Sequence, residues 1–408
     1  MNIRREIFMG RTFLFISPQY PQRLRFLANR LKAAGFTVVG IGDSDWASLA
    51  PELQGDLAEY CKVNMNCYRA DGSIEPDAYA GIFNTACYLA DKYGKPEYIE
   101  SFNEWWLPLD AQLRADLGVQ GNKPDELSHL NRKSLMKERF RRAGVSVVPG
   151  KLVEDLPGML RFMNGICNND IIVKPDHGVG ASCTYRIRTK EEAENFFANK
   201  NPAQRFYMER FISGEDRELL SFDGITDADG KPAFFIAHHY CDGIMEVVGG
   251  GTLSYNNLKM SEMPEGLLKA GLASVESFNI RKNFFHIEFF KSGEKFFGLE
   301  INARPPGVVT LDMDNHARGM DIWALYADIC ANGHTCLGPS QDRICGYVGR
   351  LNSCDYRLSH NDIMARFGSE IVFHMPMDSR VMGDYCYLTI SDSQERREEL
   401  RRAITELR

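Results

Sequence analysis

The chain has 408 residues, of which 44% are hydrophobic and 25% are charged, and its formal net charge is −7. At roughly 100 to 200 residues per domain, this length predicts two to four compact domains. The acidic balance excludes a general attraction for nucleic acid or for an anionic membrane surface, so we expect neither as a partner. The eleven cysteines form no CxxC pair and no zinc-like Cys/His cluster, which favours reduced thiols and a cytoplasmic location.

The first 120 residues alternate between short apolar runs and segments of helical periodicity. The predicted elements are strands at 12–17, 36–41 and 97–102 and helices at 22–34 and 76–93. This order predicts a small parallel sheet with helices on its faces. No GxGxxG motif follows a strand, so we interpret the segment as a scaffold and not as a dinucleotide site.

The next stretch, from Leu130 to Gly150, predicts a helix that ends at Gly144 and leads into a strand that ends at Pro149. Lys133 lies near the start of this helix. A cation gains nothing from the helix dipole at that end, so Lys133 is either solvated or faces an anion such as phosphate. The residue alone leaves both interpretations open.

A strand ending in Lys174 is followed by a loop of small residues that includes Gly178, Gly180 and Ser182. Small residues let backbone N–H groups approach an anion closely. A lysine beside such a loop is typical of a phosphate clamp. An ordinary turn between two strands is the alternative interpretation.

Glu209 ends another predicted strand, and the three residues after it form an extended linker. Free backbone groups of an extended linker are suited to bind the edge of an adenine ring, and the Glu209 carboxylate would accept from its exocyclic amine. Asp216, or one of its neighbours Glu215 and Glu218, would accept from ribose hydroxyls. A solvated charged turn remains equally compatible with these residues.

The most informative stretch is 284–307, which predicts two aromatic-rich strands joined by a short turn. Period-2 alternation puts Glu300, Asn302 and Arg304 on one face of the second strand. A hairpin loop of odd length, for instance three residues around Gly293, would bring Glu288 to the same face. Two carboxylates and an amide oxygen predict Mg²⁺ bridging nucleotide phosphates, and a solvent-facing sheet edge is the alternative.

The remaining segments predict no second set of catalytic residues. His238 and His239 lie in one predicted strand, where alternation sends one of them into the core, and neither has a visible metal partner. Beyond residue 340 the pattern predicts short strands at 344–351, 370–374 and 385–391 and a charged terminal helix from 394. We interpret this region as a β-rich C-terminal lobe.

The four motifs around Lys133, Lys174, Glu209 and Glu300 resemble, in this order, those of the ATP-grasp superfamily, specifically its carboxylate-amine ligase branch of L-amino acid and peptide ligases. The resemblance implies nucleotide contacts from Lys133, Lys174, Gly178, Gly180, Ser182, Glu209, Arg210, Phe211, Ile212 and Asp216. It implies metal ligation by Glu288, Glu300 and Asn302, and catalytic contacts from Arg304 and Lys174. The chain departs from the family at Asp216, where Glu is more usual, and at 305–307, where Pro-Pro-Gly replaces a glycine pair.

The fold that the resemblance implies combines α/β and α+β parts. It consists of a Rossmann-like βαβ domain at 1–120, an ATP-grasp core at 121–340 with a small lid subdomain at 150–208, and a β-rich lobe with a terminal helix at 341–408.

The implied activity joins a carboxylate, such as an amino acid or another small acid, to an amine through an acyl phosphate, giving ADP and phosphate. ATP and one or two Mg²⁺ ions, for which Mn²⁺ substitutes, are the implied cofactors, and a homodimer remains open. An ATP-grasp enzyme of the carboxylase or carbamoyl-phosphate type and a nucleotide-binding module without turnover remain alternatives.

Overall fold

The computed structural model describes residues 11–69, 72–166, 169–177, 184–212, 217–241, 253–307, 309–379 and 381–408. Four of the proposed nucleotide-binding residues lie outside them: Gly178, Gly180, Ser182 and Asp216. Within the described residues, no helix combines the length and apolar character needed to cross a membrane.

The N-terminal lobe is a four-stranded parallel sheet with strand order β3-β2-β1-β4. Its elements are β1 (Arg11–Ile16), α1 (Arg25–Ala33), β2 (Phe36–Gly42), α2 (Pro51–Asp56), β3 (Glu59–Lys62), α3 (Pro76–Tyr93), β4 (Pro96–Glu100) and α4 (Leu107–Asp116). Phe13 and Phe15 pack in the cluster that contains Leu27 of α1, whereas Leu14 packs with Ile82 of α3. Strand β1 is apolar on both faces because helices cover both faces of the sheet.

A smaller subdomain follows, with a four-stranded antiparallel sheet in the order β5-β8-β6-β7. Helices α5 (Pro124–Asn131) and α6 (Lys133–Arg142) precede it and pack in the cluster that contains Phe222 and Phe285. The subdomain itself consists of β5 (Gly150–Leu152), α7 (Leu156–Asn164), β6 (Ile171–Pro175), β7 (Tyr185–Ile187), α8 (Lys190–Asn199) and β8 (Phe206–Arg210). Met159 of α7 and Phe196 of α8 pack against Val173 and Met208 of the sheet. The helices therefore cover one face of this small sheet.

The centre of the molecule is an eight-stranded antiparallel sheet in the order β13-β12-β9-β10-β11-β14-β16-β15. Its strands are β9 (Glu218–Thr226), β10 (Pro232–Tyr240), β11 (Ser254–Asn257), β12 (Phe284–Ser292), β13 (Lys295–Asn302), β14 (Ile344–Arg350), β15 (Ile371–Ser379) and β16 (Gly383–Ser391). The associated helices are α9 (Glu265–Phe278), α10 (Thr310–Arg318), α11 (Ile322–Asn332), α12 (His360–Phe367) and α13 (Gln394–Thr405). The C-terminal strands are therefore a continuation of the central sheet, since β14 pairs directly with β11.

The β12–β13 hairpin corrects one detail of the sequence interpretation. The expected three-residue loop is wrong, because Ser292 pairs with Lys295 across a two-residue turn in which Gly293 has a φ of 58°. Such an even turn alone would place Glu288 opposite Leu299 and away from Glu300. The register shifts after Glu288, so that Leu299 becomes the extra residue of a β-bulge. The bulge, and not the turn, brings the two glutamates to one face.

Candidate nucleotide and metal site

The carboxylate of Glu209 lies between two buried lysines. Its Oε1 is 2.5 Å from Nζ of Lys174, and its Oε2 is 3.1 Å from Nζ of Lys137. Lys137 is fully buried in α6 and also donates to the backbone carbonyl of Gly298 at 3.0 Å. Strands β6 and β8 and helix α6 thus supply a compact group of two positive charges and one negative charge.

The pKa values of these three groups follow from burial and mutual attraction. Burial would raise the pKa of Glu209, but the charges of Lys137 and Lys174 outweigh it and lower this pKa to about 2. Burial lowers the pKa of Lys137 to about 8 in spite of Glu209. Burial also opposes the charge of Lys174, but attraction by Glu209 and Glu300 raises its pKa overall. Lys174 therefore carries a full positive charge at neutral pH and is suited to bind an additional anion.

The N-terminus of α6 is tied to the end of strand β6 through Asp176. The backbone carbonyl of Asp176 accepts from Lys133 N–H at 2.8 Å, and its carboxylate accepts from the backbone N–H and hydroxyl of Ser134 at 2.8 and 3.0 Å. Lys133 is only 5% exposed. Burial raises the pKa of Glu300, and the charge of Lys133 offsets part of that rise, so the two side chains lie near each other. The solvated alternative for Lys133 is therefore wrong, and the lysine belongs to a charged interior.

Glu288 and Glu300 are direct partners on the neighbouring strands β12 and β13. Burial raises the pKa of Glu300, and the charge of Glu288 also opposes its ionisation. Two carboxylates directly opposite each other are destabilising unless a cation compensates them. Asn302 follows on the same face of β13 and offers an amide oxygen. These hard oxygen donors fit a divalent cation such as Mg²⁺.

A buried chain of alternating carboxylates and imidazoles leads away from Glu288. His286 places Nε2 3.4 Å from Glu288 and Nδ1 2.5 Å from Asp223. His238 places Nδ1 2.6 Å from the other oxygen of Asp223 and Nε2 2.9 Å from Asp314 on α10. His238, Asp223 and Asp314 are each at most 1% exposed. This row of side chains therefore links Glu288, on the sheet, to helix α10, which carries Asp314.

The raised pKa values of His238 and His286 favour the protonated imidazole of both residues at neutral pH. Burial would lower the pKa of His286, but Asp223 and Glu288 outweigh it and raise this pKa to about 10. The same balance, with Asp314 and Asp223 as partners, raises the pKa of His238 to about 9. His238 donates from both nitrogens and His286 donates from Nδ1, while Nε2 of His286 lies 3.4 Å from Glu288, so rotation of either ring would lose a charge-assisted contact. The orientation of the Glu288 carboxylate is thereby constrained from behind.

Arg304 connects the central sheet to the N-terminal lobe. Its Nη2 lies 2.9 Å from Oε2 of Glu104, which follows β4, and its Nη1 donates to the Pro305 carbonyl at 2.9 Å. The side chains of Arg304 and Glu104 are 21% and 19% exposed. Both are thus accessible from solvent while remaining paired. The charge of Glu104 also raises the pKa of Glu300, which puts this pair beside the two glutamates.

The linker after Glu209 is anchored through its backbone. Arg210 N–H donates to the Pro149 carbonyl and Phe211 N–H to the Asp170 carbonyl, both at 2.9 Å. The Phe211 ring has the Arg186 guanidinium 3.8 Å from its centroid. The two lysines on the Glu209 carboxylate and these backbone hydrogen bonds together fix the position of the strand end and of the linker that follows it.

Several residues of the site were not found from the sequence. Lys137 follows Lys133 by one helical turn, and His286 precedes Glu288 by two residues of the same strand. These local spacings could have indicated Lys137 and His286 as residues of the site. No local spacing indicates Asp223 or Asp314, because their partners are distant in the sequence.

One further acidic group, Asp227, Asp229 and His334, brings three ligand atoms within 4.8 Å of one another. The carboxylate of Asp227 accepts from the backbone N–H groups of Asp229 and Lys231, both at 2.9 Å. It therefore closes the turn between β9 and β10 and is explained by that structural role.

No protein-family model matches the sequence, and no curated protein matches it. Solved structures do match. An L-amino acid ligase from Bacillus licheniformis is 12% identical with a TM-score of 0.70, covering 96% of each chain. N5-carboxyaminoimidazole synthetase from Staphylococcus aureus, solved with ADP, is 13% identical with a TM-score of 0.69, covering 97% of each chain.

A third match is the biotin carboxylase domain dimer of Hydrogenobacter thermophilus 2-oxoglutarate carboxylase, solved with MgADP, ADP and bicarbonate. It is 15% identical with a TM-score of 0.66, and the alignment covers 94% of this chain and 87% of that one. At such low identities these likenesses show the fold. The predicted fold class is confirmed: this chain has the ATP-grasp fold.

Proposed function

We propose that the protein is an ATP-dependent ligase that joins a carboxylate, an amino acid or another small acid, to an amine, releasing ADP and phosphate. The observation that carries the proposal is the buried group of Lys133, Lys174 and Glu209 beside the opposed pair Glu288 and Glu300. The lysines would bind phosphate oxygens, and the two opposed glutamates next to them would bind a divalent metal. The likeness in fold to an L-amino acid ligase supports the proposal.

In this proposal the lysines bind the terminal phosphates of ATP. Phosphoryl transfer depends mainly on positioning and charge neutralisation, which Lys133 and Lys174 supply from α6 and β6. The loop residues Gly178, Gly180 and Ser182 would contribute backbone N–H groups. Glu209, Arg210, Phe211 and Ile212 would contact adenine, and Asp216 the ribose.

We further propose that Glu288, Glu300 and Asn302 hold one or two Mg²⁺ ions, with Mn²⁺ as a substitute. The bound metal would neutralise charge on the phosphates. The protein's part is to keep the two glutamates opposed, through the Leu299 bulge, and to fix Glu288 from behind through His286. These are contributions of the chain itself.

A carboxylate resists nucleophiles because of its negative charge and resonance, so activation by phosphorylation precedes amide formation. The acid's oxygen attacks the γ-phosphorus, ADP leaves, and an acyl phosphate results. The amine then attacks the carbonyl carbon and phosphate departs with the bridging oxygen. Arg304 is the proposed contact for the transferred phosphate or the acyl substrate, because its guanidinium is partly exposed beside the glutamates.

Screening amino acids in pairs for phosphate release tests this function. The proposal expects ADP and phosphate in equal amounts, and only when an acid and an amine are both present. Release that does not depend on the amine would contradict ligation.

A carboxylase of the same fold is the second candidate. It is favoured by the likeness to N5-carboxyaminoimidazole synthetase and to a biotin carboxylase domain solved with bicarbonate. Replacing the amino acids by bicarbonate in the same screen separates the two, because a carboxylase requires bicarbonate for phosphate release.

We also propose that the chain divides at about residues 120 and 340, with a lid at 150–208 and a C-terminal part whose strands share the central sheet, and that the protein is cytoplasmic. The absence of disulfides among the nine cysteines of the described ranges supports the location.

The small-molecule acid and amine are the proposed partners. A homodimer is supported by the dimer of the biotin carboxylase domain.

A further inference from the structure

The C-terminal part of the chain contains a cavity of about 320 Å³ that the proposed reaction does not use. Ten residues line it, from the end of β14, the following segment, the start of α12 and strand β16. None of them is among the residues proposed to bind ATP or metal. A cavity of this size is within the range of small-ligand sites, about 300 to 1,000 Å³.

Arg350 is the charged residue of this cavity. It is 8% exposed, its Nη2 donates to the Leu358 carbonyl at 2.7 Å, and its guanidinium carbon lies 3.8 Å from the centroid of the Tyr356 ring. Its Nε is buried and has no hydrogen-bond partner among the described residues. Within the same ranges, no carboxylate oxygen lies within 4.0 Å of its guanidinium. The positive charge of Arg350 is therefore buried without a counter-ion.

The other two buried arginines of the described chain behave differently. Arg114 is paired with Glu100 at 2.7 Å, and Arg318 is paired with Asp342. A buried charge is costly unless it is paired, and the partners of Arg114 and Arg318 meet that requirement. Arg350 departs from this pattern, and its guanidinium adjoins a cavity.

The rest of the lining also favours an anion. None of the ten residues is acidic. Ser359 and His360 lie at the start of α12. The Ser359 N–H and hydroxyl donate to Asp362 of the first turn, and His360 adds an imidazole to the lining. Tyr387 and Tyr385 add hydroxyl groups and ring faces, with Tyr387 OH 2.9 Å from Nδ1 of His360.

We propose that this cavity is a second ligand site, in which Arg350 binds a compact oxyanion, the carboxylate or phosphate group of a small molecule. The site is independent of the proposed ligase function. The aromatic walls leave space for a small organic part beside the charged group.

The test is calorimetric titration of the full chain, saturated with ADP and Mg²⁺, with inorganic phosphate, acetate and benzoate at constant ionic strength. ADP and Mg²⁺ fill the nucleotide site, and the Arg350 variants separate binding in this cavity from binding at the vacant γ-phosphate position. We expect one of these anions to bind, and we expect Arg350→Gln to weaken that binding at least tenfold. Phosphate alone would identify a phosphate site, and acetate or benzoate a carboxylate site.

The control is Arg357→Gln, an exposed arginine of the same lobe whose partner is Glu406. It should retain the wild-type affinity. If Arg350→Gln does not fold, Arg350→Lys replaces it in the test. Lysine keeps the positive charge but lacks the planar donor pair of arginine, so this variant should bind the same anion more weakly than wild type. Wild-type affinity in both Arg350 variants, or no binding of any probe to the wild type, would overturn the proposal.

Discussion

Glu288 lies directly opposite Glu300 on the neighbouring strand of the central sheet. Like charges in this arrangement are destabilising. The protein nevertheless maintains the pair through a β-bulge, and Lys133 and Lys174 compensate it only in part. A pair that is unfavourable for folding but suited to a cation is the expected signature of a metal site.

Glu300→Gln therefore has opposite effects on folding and on metal binding. Without metal, the variant should unfold at equal or higher denaturant concentration than wild type, because a like-charge contact is removed. Its affinity for Mn²⁺, measured by electron paramagnetic resonance, should fall at least tenfold, and turnover should fall by orders of magnitude. Glu294→Gln, in the exposed turn of the same hairpin, is the matched control and should change neither property. Wild-type Mn²⁺ affinity in Glu300→Gln would mean that the metal assignment is wrong.

Lys174→Ala tests the phosphate contact. A charge-assisted hydrogen bond contributes roughly 1.5 to 3 kcal/mol, so the dissociation constant for ATP should rise at least tenfold by titration calorimetry. Lys190→Ala changes an exposed lysine of the same subdomain and should leave it unchanged. An unchanged dissociation constant for ATP in Lys174→Ala would show that Lys174, on β6, does not contact the phosphates.

The Glu209 ion pairs predict a defined dependence of stability on pH. The pKa of Glu209 is lowered from 4.5 to about 2 in the folded protein. The unfolded chain therefore binds more protons between these values, so this contribution is complete above pH 4.5 and is lost as the pH falls toward 2. Removing one partner of a buried ion pair costs roughly 3 to 5 kcal/mol.

Denaturant unfolding of Glu209→Gln checks this prediction. At pH 7 the variant should be less stable than wild type, and the difference should shrink as the pH is lowered from 4.5. A difference that stays constant across this window would show that the carboxylate does not depend on its lysine partners.

His286→Gln tests the buried chain behind Glu288. Loss of such an outer partner typically lowers metal affinity about 10- to 100-fold, so Mn²⁺ binding should weaken by that order. ADP binding without metal should remain normal, which a general loss of structure would not allow. His239→Gln is the control, because His239 lies on the opposite face of β10 from His238 and contacts Glu218. Equal Mn²⁺ affinity in both variants would show that His286 and the buried carboxylates and imidazoles behind it do not support metal binding by Glu288.

The local features of this site were predictable from the sequence. Alternation along one strand was sufficient to group Glu300, Asn302 and Arg304. The contribution of Glu288 was predicted through a wrong turn length, because the bulge at Leu299 has no signature in the local pattern. Register in a hairpin depends on both the turn and any bulge, and only the turn leaves a recognisable sequence.

The non-local features were not predictable. Lys137, Asp223 and Asp314 are charged residues, and composition alone assigns such residues to the surface. They are buried because partners from other strands and helices compensate them, such as Glu209 for Lys137 and His238 for both aspartates. Such pairings form only when the chain folds, and a single sequence does not record them.

The most direct test of the proposed ligase uses an acid substrate labelled with heavy oxygen in its carboxylate, together with its amine partner. If an acyl phosphate forms, the departing phosphate carries one labelled oxygen, and ADP is the nucleotide product. Phosphorus NMR or mass spectrometry of the released phosphate reads the label. We expect labelled phosphate in an amount equal to ADP. Formation of AMP, or unlabelled phosphate released without dependence on the amine, would contradict the account.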